Sequence, residues 1–196
     1  MTGALDFLTR RALMLVAVAA LAVACTGTPL SGDNDSGAIA MPDRYSAAIA
    51  EEILDDGGNA VDAAIAAAFV LAVAYPEAGN IAGGGFMLLR FGEHAAFLDF
   101  REIAPAAATR DMYLDARGEI VDGASLNGHR AVAVPGTVAG LHAAHERYGT
   151  RPWRELLAPA IELAEEGIDV PQLLVDRVRD ESPRLAGVES FARHFG

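Results

Sequence analysis

Every side chain from Ala63 to Tyr75 is apolar except for the Tyr75 hydroxyl. The run lies between clear helix signals. Gly57-Gly58 precedes it and ends the element before, because glycine accepts the left-handed conformation that a helix terminus often needs. Asn59 is predicted as the N-cap of the run, with Asp62 in its first turn at the positive end of the dipole. Pro76 stops it. A helix that is apolar on all sides must be surrounded. This one is shorter than the roughly 20 residues that a bilayer crossing takes. It is therefore predicted to be the buried central helix of a globular body. Its many alanines suit close packing against a sheet.

The rest of the folded part reads around that helix. Pro42-Asp43 opens a helix to about Asp56, with Ala47, Ala48, Ile49, Ile53 and Leu54 as its apolar stripe. Phe86 to Phe91 is predicted as a strand. Gly92-Glu93 is a turn and Ala95 to Phe100 a second strand, giving a hairpin. Pro105 to Thr109 is a loop, Asp111 to Leu114 a short helical turn, and Asp115 to Glu119 a turn around Gly118. Ala131 to Val134 reads as a short strand. Helices are predicted over Thr137–Tyr148, Trp153–Glu166 and from Pro171 to about Asp180. Thr137 is predicted as an N-cap rather than a nucleophile, because it directly precedes an apolar run. Helices around a few strands, with no internal repeat, give a layered α+β body.

Charge excludes some partners. The net charge is −12, and all 15 cationic residues are arginine. Nucleic-acid phosphates and anionic membrane surfaces both call for clustered cations, which the chain lacks. Gly83-Gly84-Gly85 has no Lys-Ser or Lys-Thr after it and opens a strand rather than a helix, so it is not a phosphate loop. Its glycines read as packing residues, where another backbone comes close.

Four motifs follow in order. They are Gly57-Gly58-Asn59-Ala60-Val61-Asp62-Ala63-Ala64, Gly83-Gly84-Gly85-Phe86-Met87-Leu88, Leu98-Asp99-Phe100-Arg101-Glu102-Ile103-Ala104-Pro105, and Ala133-Val134-Pro135-Gly136-Thr137-Val138-Ala139-Gly140. Together they resemble the start of the large subunit of γ-glutamyltranspeptidases, which are N-terminal-nucleophile hydrolases. The resemblance spans about Met41 to Val170. It implies the family's α-β-β-α sandwich, of which residues 41–196 would supply the N-terminal portion only. It implies cleavage of γ-glutamyl amides such as glutathione through a threonine acyl-enzyme. No metal or organic cofactor is implied. The family's Thr-Thr-His-type segment and later Gly-Gly oxyanion pair have no match here, so no catalytic residue is assigned within these residues. The expected partner is the remainder or small subunit of the same precursor. Two alternatives stay open: a cephalosporin acylase-like member of the family, and a non-catalytic lipoprotein remnant.

Arg101 is the residue singled out for substrate binding. Guanidinium presents a rigid fork that can hold a carboxylate through two parallel hydrogen bonds. By resemblance, Arg101 grips the α-carboxylate of the γ-glutamyl group. The competing reading is an ion pair with Asp99 or Glu102. Glu102 either orients Arg101 or sits at the surface. His142 and His145 lie one turn apart beside Glu146, which reads as an exposed helix face rather than a metal site. His94, His129 and His194 have no partner that the sequence reveals. Ser125 lacks the Gly-x-Ser-x-Gly pattern of a nucleophile elbow.

The first 24 residues are a separate object. Arg10-Arg11 precedes an uncharged run from Ala12 to Ala24, which reads as an export signal of twin-arginine type. Ala22-Val23-Ala24-Cys25 resembles a bacterial lipobox. Cys25, the only cysteine, is the expected lipidation site, and a lone cysteine forms no intrachain disulfide. Residues 25–40 read as a flexible tether. The expected destination is the periplasm or cell surface, anchored to a bacterial membrane by lipid.

Overall fold

The computed structural model describes residues 37–195. The expectations for residues 1–24 and for Cys25 lie outside the described residues. Helix α1, Arg44–Asp55, starts where Asp43 caps it: the Asp43 carboxylate accepts the N–H groups of Tyr45 at 2.8 Å and Ser46 at 3.0 Å. It ends at the glycine pair, with Gly57 at φ +85°. Helix α2, Ala60–Ala74, is the apolar run. Asn59 and Asp62 form a reciprocal capping box at its start. Nine of its 15 residues are buried, which makes it the centre of the core. Ile39 and Met41 pack onto that core from the N-terminal side.

Strands β1, Phe86–Phe91, and β2, His94–Asp99, form an antiparallel hairpin, with Phe86 opposite Asp99 and Phe91 opposite His94. The hairpin sits one residue earlier in its second strand than predicted. Alternation divides its faces. Met87, Leu89 and Leu98 turn to the helical core. Phe86, Leu88 and Phe97 turn the other way, with Leu88 77% exposed and the Phe86 and Phe97 rings stacked at 5.7 Å. Helices therefore cover one face of the hairpin and leave the other open.

The remaining helices are α3, Thr137–Tyr148; α4, Trp153–Glu166; α5, Gln172–Leu185; and α6, Glu189–Phe195. Helices α1, α3 and α4 surround α2, and Leu141, Ala144, Leu156 and Ala160 complete its burial. Among the described residues no helix is long and apolar enough to cross a membrane.

Three local expectations are corrected. Ala131 to Val134 is not a strand: a 3-10 turn covers His129–Ala131, and a single bridge joins Val134 to Ile103. Pro135 follows at once and has no N–H with which to extend the pairing. Thr137 is not an N-cap. Gly136 occupies that position, and the N–H groups of Gly136 and Thr137 both donate to the Gly83 carbonyl, at 2.8 and 3.0 Å. A backbone carbonyl arriving from elsewhere takes the first N–H groups of the helix, and no side chain caps it. Helix α5 runs past Asp180 to Leu185, with Pro183 inside it. Its later turns have no apolar stripe to read and carry i,i+3 pairs instead, Asp176–Arg179 at 3.3 Å and Glu181–Arg184 at 2.6 Å.

Candidate functional site

The segment after β2 is held at both ends by backbone. Phe100 exchanges both of its hydrogen bonds with Gly85, at 3.0 and 3.3 Å, and Ile103 exchanges both with Val134, at 2.9 and 3.2 Å. Arg101 and Glu102 lie between these two pairs. The fit around them depends on missing side chains. A Cβ on Gly84 would lie 2.6 Å from the Glu102 nitrogen and 2.7 Å from Glu102 Oε2. A Cβ on Gly136 would collide with the Phe100 carbonyl, and one on Gly140 with the Phe100 ring. Gly85 lies against the same ring. Gly84 and Gly85 are thus packing residues, as read from the sequence. Four glycines close around Phe100 and leave the next two side chains outside the core.

Arg101 is 62% exposed and Glu102 25%. Arg101 Nη1 donates to Glu102 Oε2 at 2.7 Å. The Arg101 backbone N–H donates to Asp99 Oδ1 at 3.0 Å. The ion pair weighed in the sequence is therefore made with Glu102, and Asp99 serves the backbone instead. Nη2 and Nε make no other hydrogen bond among the described residues. A guanidinium held on one nitrogen by a neighbouring carboxylate still has N–H groups for a second carboxylate.

The other singled-out residues gather elsewhere. His142 is exposed, with Nδ1 3.6 Å from Glu146 Oε2. His145 is not on an exposed face. It is half-buried, and its Nε2 lies 2.7 Å from the Arg151 carbonyl. Both imidazoles meet Trp153 edge-on, at 5.2 and 5.3 Å, and Phe69 meets its ring from the core at 5.5 Å. Among the described residues no three His, Cys, Asp or Glu side chains are grouped to hold a metal ion. His94 and His129 are exposed, and His194 Nδ1 lies 2.8 Å from the Ser190 carbonyl.

One buried charge stands out. Asp62 is 0% exposed. It accepts the Asn59 N–H at 2.9 Å, the Thr150 hydroxyl at 2.6 Å, the Thr150 N–H at 2.9 Å and the Arg151 N–H at 3.3 Å. Burial alone pushes its carboxyl up. The Thr150 hydroxyl and the three backbone donors together outweigh that and hold it below the ordinary aspartate range. The sequence showed only the capping role. The partners lie 88 and 89 positions away and leave no local signal.

The chain carrying this segment matches known proteins. The family model described as gamma-glutamyltranspeptidase matches residues 46–196.

The chain belongs to the γ-glutamyltranspeptidase family.

Its sequence is 49% identical over 173 residues to the glutathione hydrolase proenzyme of Pseudomonas aeruginosa, covering 88% of this chain and 31% of that one. The chain thus spans about a third of that curated relative. In three dimensions it is similar to the γ-glutamyltranspeptidase of Pseudomonas nitroreducens, solved in complex with L-DON. There the TM-score is 0.79 at 52% identity, covering 83% of this chain and 48% of that one. It is equally similar to the Helicobacter pylori γ-glutamyltranspeptidase, with a TM-score of 0.80 at 38% identity and coverage of 83% and 47%. The α+β body is the N-terminal portion of this γ-glutamyltranspeptidase fold, an N-terminal-nucleophile hydrolase sandwich.

Proposed function

We propose that these residues form the front of the large subunit of an exported γ-glutamyltransferase/glutathione hydrolase, with Arg101 as the clamp for the substrate α-carboxylate. The single observation that carries this reading is Arg101 itself. It is a guanidinium presented outward at the end of a family-matched strand, held by Glu102 on one nitrogen and with the rest of its fork unengaged. Glu102 orients it. The reaction belongs to a threonine outside this segment. Its hydroxyl attacks the γ-glutamyl amide carbon, its own free amine takes the proton, and the leaving amine departs. Water or an amino acid then releases the γ-glutamyl group from the acyl-enzyme. Backbone donors on the later part of the precursor hold the oxyanion. The substrate class is glutathione and other γ-glutamyl amides, and the step uses no cofactor. The later part of the precursor is the partner that covers the open hairpin face.

Residues 1–24 act as the export signal in this proposal, and Cys25 takes the lipid. The residues from 25 up to the folded body form the tether, which ends before 40 because Ile39 already packs on the core, and the rest forms the large-subunit domain. The test compares two preparations on a chromogenic γ-glutamyl anilide. The purified 196 residues are expected to be inactive. A precursor extended to include the family's autocleavage threonine is expected to cleave itself and turn the anilide over. Turnover of a β-lactam side-chain amide without turnover of the anilide would replace the reading with the acylase one.

A further inference from the structure

We propose that Asp99 is a positioning residue for Arg101, fixing the backbone from which the guanidinium is presented. The inference rests on the reading of Arg101 as a carboxylate clamp. The reasoning starts from the two backbone pairs that flank it. Phe100 is tied to Gly85 and Ile103 to Val134, through both N–H and C=O in each case. Between them the chain leaves the sheet for two residues. The Arg101 N–H has no strand to donate to, and Asp99 Oδ1 takes it at 3.0 Å. A side-chain oxygen that accepts from the N–H two residues on makes a local turn of its own. That turn sets the direction in which Arg101 leaves the sheet. Arginine is long, so a small backbone rotation at its base moves the guanidinium far more than the backbone itself. A carboxylate fork needs its donors aimed as well as near.

Three features separate this role from a general structural one. Asp99 is exposed and stands at the end of β2, outside the core. Its partner is a backbone N–H, so the interaction needs an oxygen in the right place rather than a negative charge. Glu102 already supplies the carboxylate that pairs with the guanidinium. Asparagine keeps the oxygen and loses the charge. Glutamate keeps the charge and moves the oxygen one carbon further out, beyond the two-residue turn.

The experiment uses the complete precursor with Asp99→Asn, Asp99→Glu, Asp99→Ala and Arg101→Ala. It measures kcat and KM for a γ-glutamyl amide and for an analogue without the α-carboxylate, and it follows autocleavage. Asp99→Ala and Asp99→Glu are expected to raise KM for the γ-glutamyl amide about five- to tenfold, with kcat within about twofold, the size of one ordinary hydrogen bond. The analogue should be unaffected and autocleavage should proceed. Asp99→Asn should stay within about twofold of the parent. If Asp99→Asn is as impaired as Asp99→Glu, or if Asp99→Glu leaves KM unchanged, the proposal fails. If both substrates suffer equally in Asp99→Ala and Asp99→Glu, Asp99 is merely structural and the proposal fails too. Arg101→Ala distinguishes the levels. Equal damage to both substrates removes the clamp reading and the proposal with it. Selective damage, with silent Asp99 variants, removes the proposal alone.

Discussion

The Thr150 hydroxyl donates to Asp62 Oδ2 at 2.6 Å across 88 positions of sequence. It joins the first turn of α2 to the link between α3 and α4, and the Asn59 amide adds a bond to the Tyr148 carbonyl at 2.7 Å. The central helix is therefore fixed at its start by polar contacts and along its length by apolar ones.

Asp62→Asn should destabilise the body by about 2–4 kcal/mol at neutral pH, because the buried donors lose a charged acceptor and one meets an amide N–H₂ instead. The sign with pH follows from the lowered carboxyl. Its stabilising contribution is complete above the unfolded aspartate value of about 3.9 and fades as pH falls through the lower folded value. Urea unfolding of both proteins across that range measures this. A gap between parent and variant that stays constant from neutral pH down to the acid end would show that the charge on Asp62 does not matter.

Gly140→Ala reverses the usual rule. In a helix interior alanine is normally better than glycine by about 1 kcal/mol. Here the new methyl would enter the Phe100 ring. Overpacking of this kind costs about 1–3 kcal/mol, so the melting temperature should fall. A rise would mean that Phe100 moves aside freely, and with it the support for Arg101.

Arg101→Ala in the complete precursor should lower kcat/KM for a γ-glutamyl amide by an amount corresponding to about 2–4 kcal/mol, while autocleavage continues. The clamp lies at the end of the substrate remote from the scissile bond and has no part in cutting the precursor's own backbone. Arg101→Lys should recover only part, since an ammonium lacks the fork. Full recovery by lysine would mean that charge alone is read.

Mass spectrometry of the exported protein should find Cys25 as a lipidated N-terminus. An unmodified N-terminus at another residue, with the protein released to the medium, would remove the lipid anchor from the proposal.

Much of the helical layer was legible because its signals are local. Asp43 and Asn59 cap where their sequence neighbours require, and Gly57 and Gly167 end helices at φ +85° and +87°. What escaped was set by contacts between distant segments. Thr137 carries the chemistry of a cap, but the Gly83 carbonyl takes the N–H groups of Gly136 and Thr137, and the cap position falls one residue earlier, at Gly136. Ala131 to Val134 has the composition of a strand and found only Ile103 to pair with. Helix α6 follows a glycine-containing turn and has too few residues to show a period. At the site, the motif pointed to Arg101. Asp99, two positions earlier, reads from sequence only as an ion-pair partner, because nearly every aspartate has an N–H two residues on and only the end of the sheet pairing decides that this one is used.

Trp153 is the only tryptophan of the chain, and its half-buried ring is flanked by Phe69, His142 and His145. One fluorophore at the start of α4 thus touches both α2 and α3. Its emission colour reports whether those three helices are docked, and its intensity reports on the two imidazoles beside it. Refolding, subunit assembly and local loosening of the helical layer can all be followed by light from a single native residue, with no label added.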